Sequence, residues 1–320
     1  MLRPYGSRSS STFRERNRLP GAAALAALLL VACARGAPAT DSGGQASATA
    51  AARPSKGCAL ASIATGRRIE QTISVGGVER RYILDVPETL QPGAPAALLF
   101  DFHGVGHSGS GLWEVSGFRE IAPRERFITV YPDGLPVSFT RGERTFSGPG
   151  WEIRTFAPNR DIDFTIALLD QLESTYCIDR ARVFATGFSN GGYFSHVLGC
   201  THADRFAAVA PVSGGWLASW SCKPGRPIPV LIHHGRQDDV IDVAEERLAY
   251  QKWLEIDGCA PDASPSSTPD ATGMSCATAS ACRDGAAVEY CEGDFAHRWP
   301  ASATARVWEF FKAHPLPAAQ

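Results

Sequence analysis

From residue 78 onward the apolar positions fall into short dense runs separated by longer stretches of helical spacing. Residues 78–86 and 96–102 read as strands, the second so continuously apolar through Leu98, Leu99 and Phe100 that both its faces must be buried. A third run, 127–131, stops at the turn sequence Pro132-Asp133-Gly134. Over 161–176, Phe164, Leu168, Leu169 and Leu172 recur at helical intervals, with Asp161 placed to cap the helix. Further strands are expected at 183–186, 206–212, 228–233 and 287–291, and further helices at 244–256 and 304–312. Strand and helix alternating in this way predict an α/β fold, a mostly parallel central sheet with helices on both faces in a single domain. The stretch 260–286, rich in Pro, Ser, Thr, Asp and Ala, breaks the alternation and reads as a long insertion pinned by disulfide.

The chain ahead of Cys58 follows neither period. Arg3, Arg8, Arg14, Arg16 and Arg18 precede an apolar run over 21–32 that closes on Leu30-Val31-Ala32-Cys33. The run is about half the length a membrane-spanning helix needs, and its basic start and small-residue end mark an export signal. The closing tetrapeptide resembles a bacterial lipobox. That implies a lipoprotein-type signal peptide at 1–32 and a lipidated Cys33; ordinary cleavage at Ala32-Cys33-Ala34 is the alternative, and both export the chain. Residues 33–57 are nearly all small or polar and read as a flexible tether, which leaves 58–314 as the folded domain.

Composition narrows the partners. The chain is 44% hydrophobic and 20% charged, ordinary globular values. Its 31 basic and 33 acidic residues give a net charge of -2, too small to attract nucleic acid, so membrane contact is left to the lipid anchor. Nine cysteines in an exported chain predict disulfides. The eight beyond Cys33 permit roughly a hundred connectivities, so counting does not choose among them. No two cysteines have the Cys-x-x-Cys spacing of a zinc site, and no metal or organic cofactor is expected.

The candidate chemistry lies at Ala181-Arg182-Val183-Phe184-Ala185-Thr186-Gly187-Phe188-Ser189-Asn190-Gly191-Gly192, a strand, a Gly-x-Ser-x-Gly turn and a helix start in succession. A serine hydroxyl needs an imidazole to take its proton and a carboxylate to hold that imidazole. On a sheet of this kind the acid and then the histidine follow the serine on later loops. The strand at 228–233 runs into His234-Gly235-Arg236-Gln237-Asp238-Asp239, where either aspartate could serve. His297 is the histidine that follows the late strand on a loop; His314 lies in a Pro-containing tail. The turn after the strand at 96–102, His103-Gly104-Val105-Gly106, can present a backbone N–H to a substrate oxygen, with Val105 favoured over Gly104 or Gly106. Together with the amide of Asn190 it would form an oxyanion hole.

Several segments resemble the extracellular esterases of the α/β-hydrolase fold that include feruloyl esterases, acetylxylan esterases and polyhydroxybutyrate depolymerase-like proteins. They are Phe102-His103-Gly104, Tyr131-Pro132-Asp133-Gly134, Cys177-Ile178-Asp179, the Ser189 turn, His234-Gly235-x-x-Asp238 and His297-x-Trp299-Pro300. The resemblance implies Asp238 as the acid of a Ser189–His297–Asp238 triad. It further implies disulfides Cys58–Cys177, Cys200–Cys222, Cys259–Cys291 and Cys276–Cys282, and an ester substrate. That substrate would be a feruloyl or acetyl ester of plant polysaccharide, with a polyhydroxyalkanoate polyester as the alternative. Trp113, Trp151, Trp216, Trp220 and Trp299 are candidates for a ring of stacking residues around the substrate.

Overall fold

The computed structural model describes residues 51–260, 269–279 and 281–317. The export signal, Cys33 and the tether up to residue 50 lie outside the described residues.

Nine strands of the described residues form one sheet. β3 (Ala96–Phe102) lies between β4 (Phe127–Pro132) and the middle strand β7 (Ile178–Phe188), and β8 (Ala208–Val212), β9 (Val230–Gly235) and β11 (Val288–Gly293) continue it in parallel. Antiparallel strands finish both sides, β1 (Gly66–Val75) and β2 (Val78–Val86) beyond β4, and β10 (Met274–Ala279) beyond β11. The core follows the period-two alternation of the strands. Leu98, Phe100 and Phe102 of β3 pack on one side, Ala97 and Leu99 on the other. The first side is covered by α3 (Arg160–Thr175), α4 (Asn190–Thr201) and α5 (Val243–Asp257); the second by α2 (Phe118–Glu125) and α6 (Ala301–Ala313). A parallel sheet can bury both faces only with helices on each, which is why the central strands read as unbroken apolar runs.

Several features depart from the sequence reading, which expected no element at β1, at α1 (Gly109–Val115) or at α2. Asn159, not Asp161, caps α3, its side chain accepting from the amides of Asp161 and Ile162. Asp161 is buried in the first turn, 2.7 Å from the guanidinium of Arg80. A hairpin, β5 (Leu135–Arg141) and β6 (Arg144–Gly150), stands apart as a two-stranded sheet where no element was expected. The segment 260–286 is not merely a surface insertion, because β10 lies within it.

That strand also corrects the disulfides. Cys58–Cys177 and Cys200–Cys222 form as expected, but the other four cysteines pair Cys276–Cys291 and Cys259–Cys282 rather than Cys259–Cys291 and Cys276–Cys282. Antiparallel pairing of β10 with β11 sets Cys276 directly opposite Cys291, their Cα atoms 4.1 Å apart. Cys259, just past the end of α5, then meets Cys282, where the amide of Ala260 donates to the carbonyl of Ala281. Among the described residues no helix is long and apolar enough to cross a membrane.

Candidate active site

β7 ends at Phe188 and α4 begins at Asn190, so a single residue, Ser189, makes the turn. Its backbone sits at φ 57°, ψ −117°, a conformation rare for a residue with a side chain. The turn is fixed at both ends: the amide of Ser189 donates to Val212 O at 2.9 Å, and its carbonyl accepts from Tyr193 N at 3.0 Å. The flanking glycines are a matter of space. A Cβ on Gly187 would lie 2.6 Å from the carbonyl oxygen of Phe102, and one on Gly191 only 1.9 Å from the same atom. The motif therefore records how closely β3 passes beneath the turn.

The loops after β9 and β11 bring the two partners to Ser189. His297 Nε2 is 2.8 Å from Ser189 Oγ, and His297 Nδ1 is 2.7 Å from Asp238 Oδ2. Asp238 Oδ1 accepts from the amides of Val240 at 3.0 Å and Ile241 at 2.8 Å, whereas Asp239 is exposed. Burial pushes the Asp238 carboxyl up, but the hydrogen bond from His297 and those from the Ile241 and Val240 amides outweigh it and hold the group below its ordinary range. An ionised Asp238 requires a proton on His297 Nδ1, which leaves the Nε2 lone pair facing the serine hydroxyl.

The glycine-rich turn after β3 lies against Ser189. Its Gly106 N–H is committed to Pro149 O at 2.8 Å and its His107 N–H to Gly104 O at 3.1 Å, whereas Val105 lines the cavity in front of Ser189. Asn190 opens α4, so its N–H belongs to the first turn, where no helical carbonyl is available. A buried brace, not anticipated from the sequence, supports both. Burial lowers the His103 imidazole to about 4, so the ring is neutral at ordinary pH. Its Nδ1 then donates to Gly104 O at 2.7 Å while Nε2 accepts from Gly134 N at 2.9 Å. The Trp151 indole donates to His103 O at 2.8 Å, and the Trp151 amide donates to the Asn190 side chain at 2.6 Å.

A cavity of about 490 Å³ opens beside Ser189 and His297. Its aromatic lining is Phe139 and Phe146 from the hairpin, Phe188 and Tyr193, and Leu217 and Ile241 are among its aliphatic residues. Phe139 and Phe146 are cross-strand partners whose rings stack 5.4 Å apart. Arg141 pins the hairpin by pairing with Glu245 of α5 and donating to the Tyr193 hydroxyl at 3.1 Å.

None of the five candidate tryptophans lines this cavity. Trp151 is 1% exposed and braces the turn; Trp216 is buried against Trp220 and Trp253. The Trp220 indole is spent on Ile153 O and that of Trp299 on Thr304 Oγ1. Trp113 bonds to Asp85 under the guanidinium of Arg119. Large rings with a single donor are drawn to sites that bury the ring and satisfy the N–H, and the core provides those here. Cys276, Glu289 and Cys291 lie close enough together to suggest a metal, but both cysteines are in a disulfide.

The fold and the Ser189 turn are those of the phospholipase/carboxylesterase family of α/β-hydrolases, whose pattern matches residues 86–271, and the chain belongs to it. It is 30% identical over 227 residues to feruloyl esterase D of Neurospora crassa, covering 67% of this chain and 72% of that one. With feruloyl esterase B of Piromyces equi it shares 28% identity over 271 residues, 74% of this chain and 46% of the other. An acetyl xylan esterase from Aspergillus awamori has the same fold, with a TM-score of 0.57 at 16% identity over 76% of this chain and 98% of that structure. The protein is a serine carboxylic-ester hydrolase.

Proposed function

We propose that the protein is an exported esterase, tethered through Cys33, that cleaves feruloyl or acetyl esters of plant polysaccharide through an acyl-enzyme. The observation that carries the reading is His297 bridging Ser189 and Asp238 at the wall of an aromatic-lined cavity. His297 Nε2 takes the hydroxyl proton as Ser189 Oγ attacks the ester carbonyl. The imidazolium so formed is stabilised by Asp238, and the oxyanion is received by the amides of Val105 and Asn190. Collapse of the tetrahedral adduct breaks the bond to the alkoxy oxygen, which leaves with the proton from His297. Water, deprotonated in turn by His297, then releases the acid and restores Ser189.

The aromatic lining favours a flat hydroxycinnamoyl group over an extended polyester, which needs an open apolar platform. Names of the relatives agree with an ester of this class. Initial rates on methyl ferulate, acetylated xylan and a hydroxybutyrate oligomer, measured side by side, test the substrate; faster turnover of the oligomer would reverse the assignment. Ser189→Ala should lower kcat/KM on order of 10⁴-fold or more with the fold intact. A folded variant that kept its activity would sink the mechanism.

A further inference from the structure

Beside the catalytic groups, the cavity wall carries four polar side chains among the described residues: His107, Thr140, Arg141 and Tyr193. His107 belongs to the turn after β3, and Thr140 shares its hydroxyl with Thr145 across the hairpin. Tyr193 is kept a neutral phenol, pushed up to about 12 chiefly by burial, and its one O–H donates to Glu245 Oε2 at 2.8 Å. Arg141 is differently placed. Its Nη1 donates to the Tyr193 hydroxyl at 3.1 Å and its Nη2 pairs with Glu245 Oε1. A guanidinium has five N–H donors in a fixed fork, so these two contacts leave the Nε–H and a second N–H on each terminal nitrogen to be used.

Strand alternation puts Arg141 on the half-buried face of β5 that also carries Val137 and Phe139. At the start of this stripe Val137 approaches Asn190: a Cβ on Gly150 would lie 2.7 Å from Val137 Cγ2 and 2.8 Å from Asn190 Oδ1. At about 3.3 Å per residue, Arg141 follows about 13 Å further along the strand, beyond the Phe139 ring. An acyl arm that leaves its carbonyl at Ser189 and follows the stripe thus meets an aliphatic side chain, then an aromatic ring, then a cluster of N–H donors. The charge on Arg141 is matched by Glu245, so the pair offers hydrogen bonds to a neutral oxygen rather than net charge to a carboxylate. From this order we infer that Arg141 is a specificity-determining residue: it donates a hydrogen bond to an oxygen on the far ring carbon of an arylpropenoyl group, so that the site selects para-hydroxylated acyl groups over those lacking that oxygen. The inference rests on the reading of the acyl group as aromatic.

Initial rates on the methyl esters of para-hydroxycinnamic, para-methylcinnamic and cinnamic acid test it, measured on the wild type, Arg141→Met and Glu245→Gln. Hydroxyl and methyl substituents are close in size, and an apolar wall alone favours the methyl one. The wild type should instead turn over the hydroxy ester with a kcat/KM about tenfold or more above that of its methyl counterpart, as one hydrogen bond to a charged donor provides. In Arg141→Met this ratio should fall to about one or below, whereas in Glu245→Gln, which keeps the guanidinium, it should stay within about threefold of wild type. A guanidinium that only anchors the hairpin would slow all three esters in proportion in both variants and leave the ratio unchanged, which overturns the inference. A wild type that prefers the methyl ester, or does not discriminate, overturns it too; that result needs no variant and leaves the aromatic reading standing. If none of the three esters is turned over while acetylated xylan is, the aromatic reading fails and the inference with it.

Discussion

Ser189 and His297 stood out in the sequence because each follows an apolar run and chain order restricts which histidine can follow the serine, whereas the same order left Asp238 and Asp239 open and only the resemblance to the esterases pointed to Asp238. His103 read only as part of a turn, and its bracing role did not stand out. It is a residue of the glycine-rich turn whose importance depends on Gly134 and Trp151, which come from distant parts of the chain. The tryptophans were misread for the same reason: nothing local shows whether an indole N–H will be met inside the core. The geometry makes His103 the support of the Gly104–Val105 backbone rather than a substrate contact. His103→Leu should therefore lower kcat for p-nitrophenyl acetate about 10-fold or more, as expected when an oxyanion donor is displaced, with little change in KM. Steady-state kinetics on a variant shown to fold would measure both, and a rise in KM at constant kcat would place His103 in substrate binding instead.

Most of the elements were legible because the central sheet is parallel and doubly covered, so its strands announce themselves as continuous runs. The hairpin was hidden. Burial along β5 alternates between half-buried and exposed, and β6 contains Gly148, Pro149 and Gly150, residues that ordinarily signal a loop. β10 was masked by the small polar residues around it, and with it went the register that pairs Cys276 with Cys291. The hairpin supplies two of the four aromatic rings in the cavity. Phe146→Ala removes one of a stacked pair worth about 0.5–1.5 kcal/mol beyond its buried area. It should raise KM for methyl ferulate roughly 3- to 10-fold while leaving hydrolysis of p-nitrophenyl acetate within about twofold of wild type. Equal losses on both esters would show that the hairpin supports the fold of the site rather than its choice of acyl group.

At the scale of the whole molecule, four disulfides suit the oxidising conditions outside the cell, and the core contains ionisable groups whose effects on stability oppose one another. Burial lowers His103 to about 4 and His233 to about 3, so over the range up to their unfolded value near 6.5 the unfolded chain binds more protons and stability rises with pH. Burial raises Asp101 to about 8 and Asp257 to about 7, which has the reverse sign. Their folded forms keep protons that the unfolded chain has released, so stability present below about pH 4 is lost as pH rises toward 8. Asp101 is the clearer case, on β3 inside the sheet and completely buried. Asp101→Asn keeps the shape and removes the titration. The stability of the variant relative to wild type should therefore climb between pH 4 and 8, by on the order of 1 kcal/mol per pH unit, and level off above. Thermal or urea unfolding of both proteins across that range measures the difference directly. A difference that stayed constant with pH would mean that Asp101 enters the fold ionised, and that the sheet accommodates a buried charge beside the serine turn.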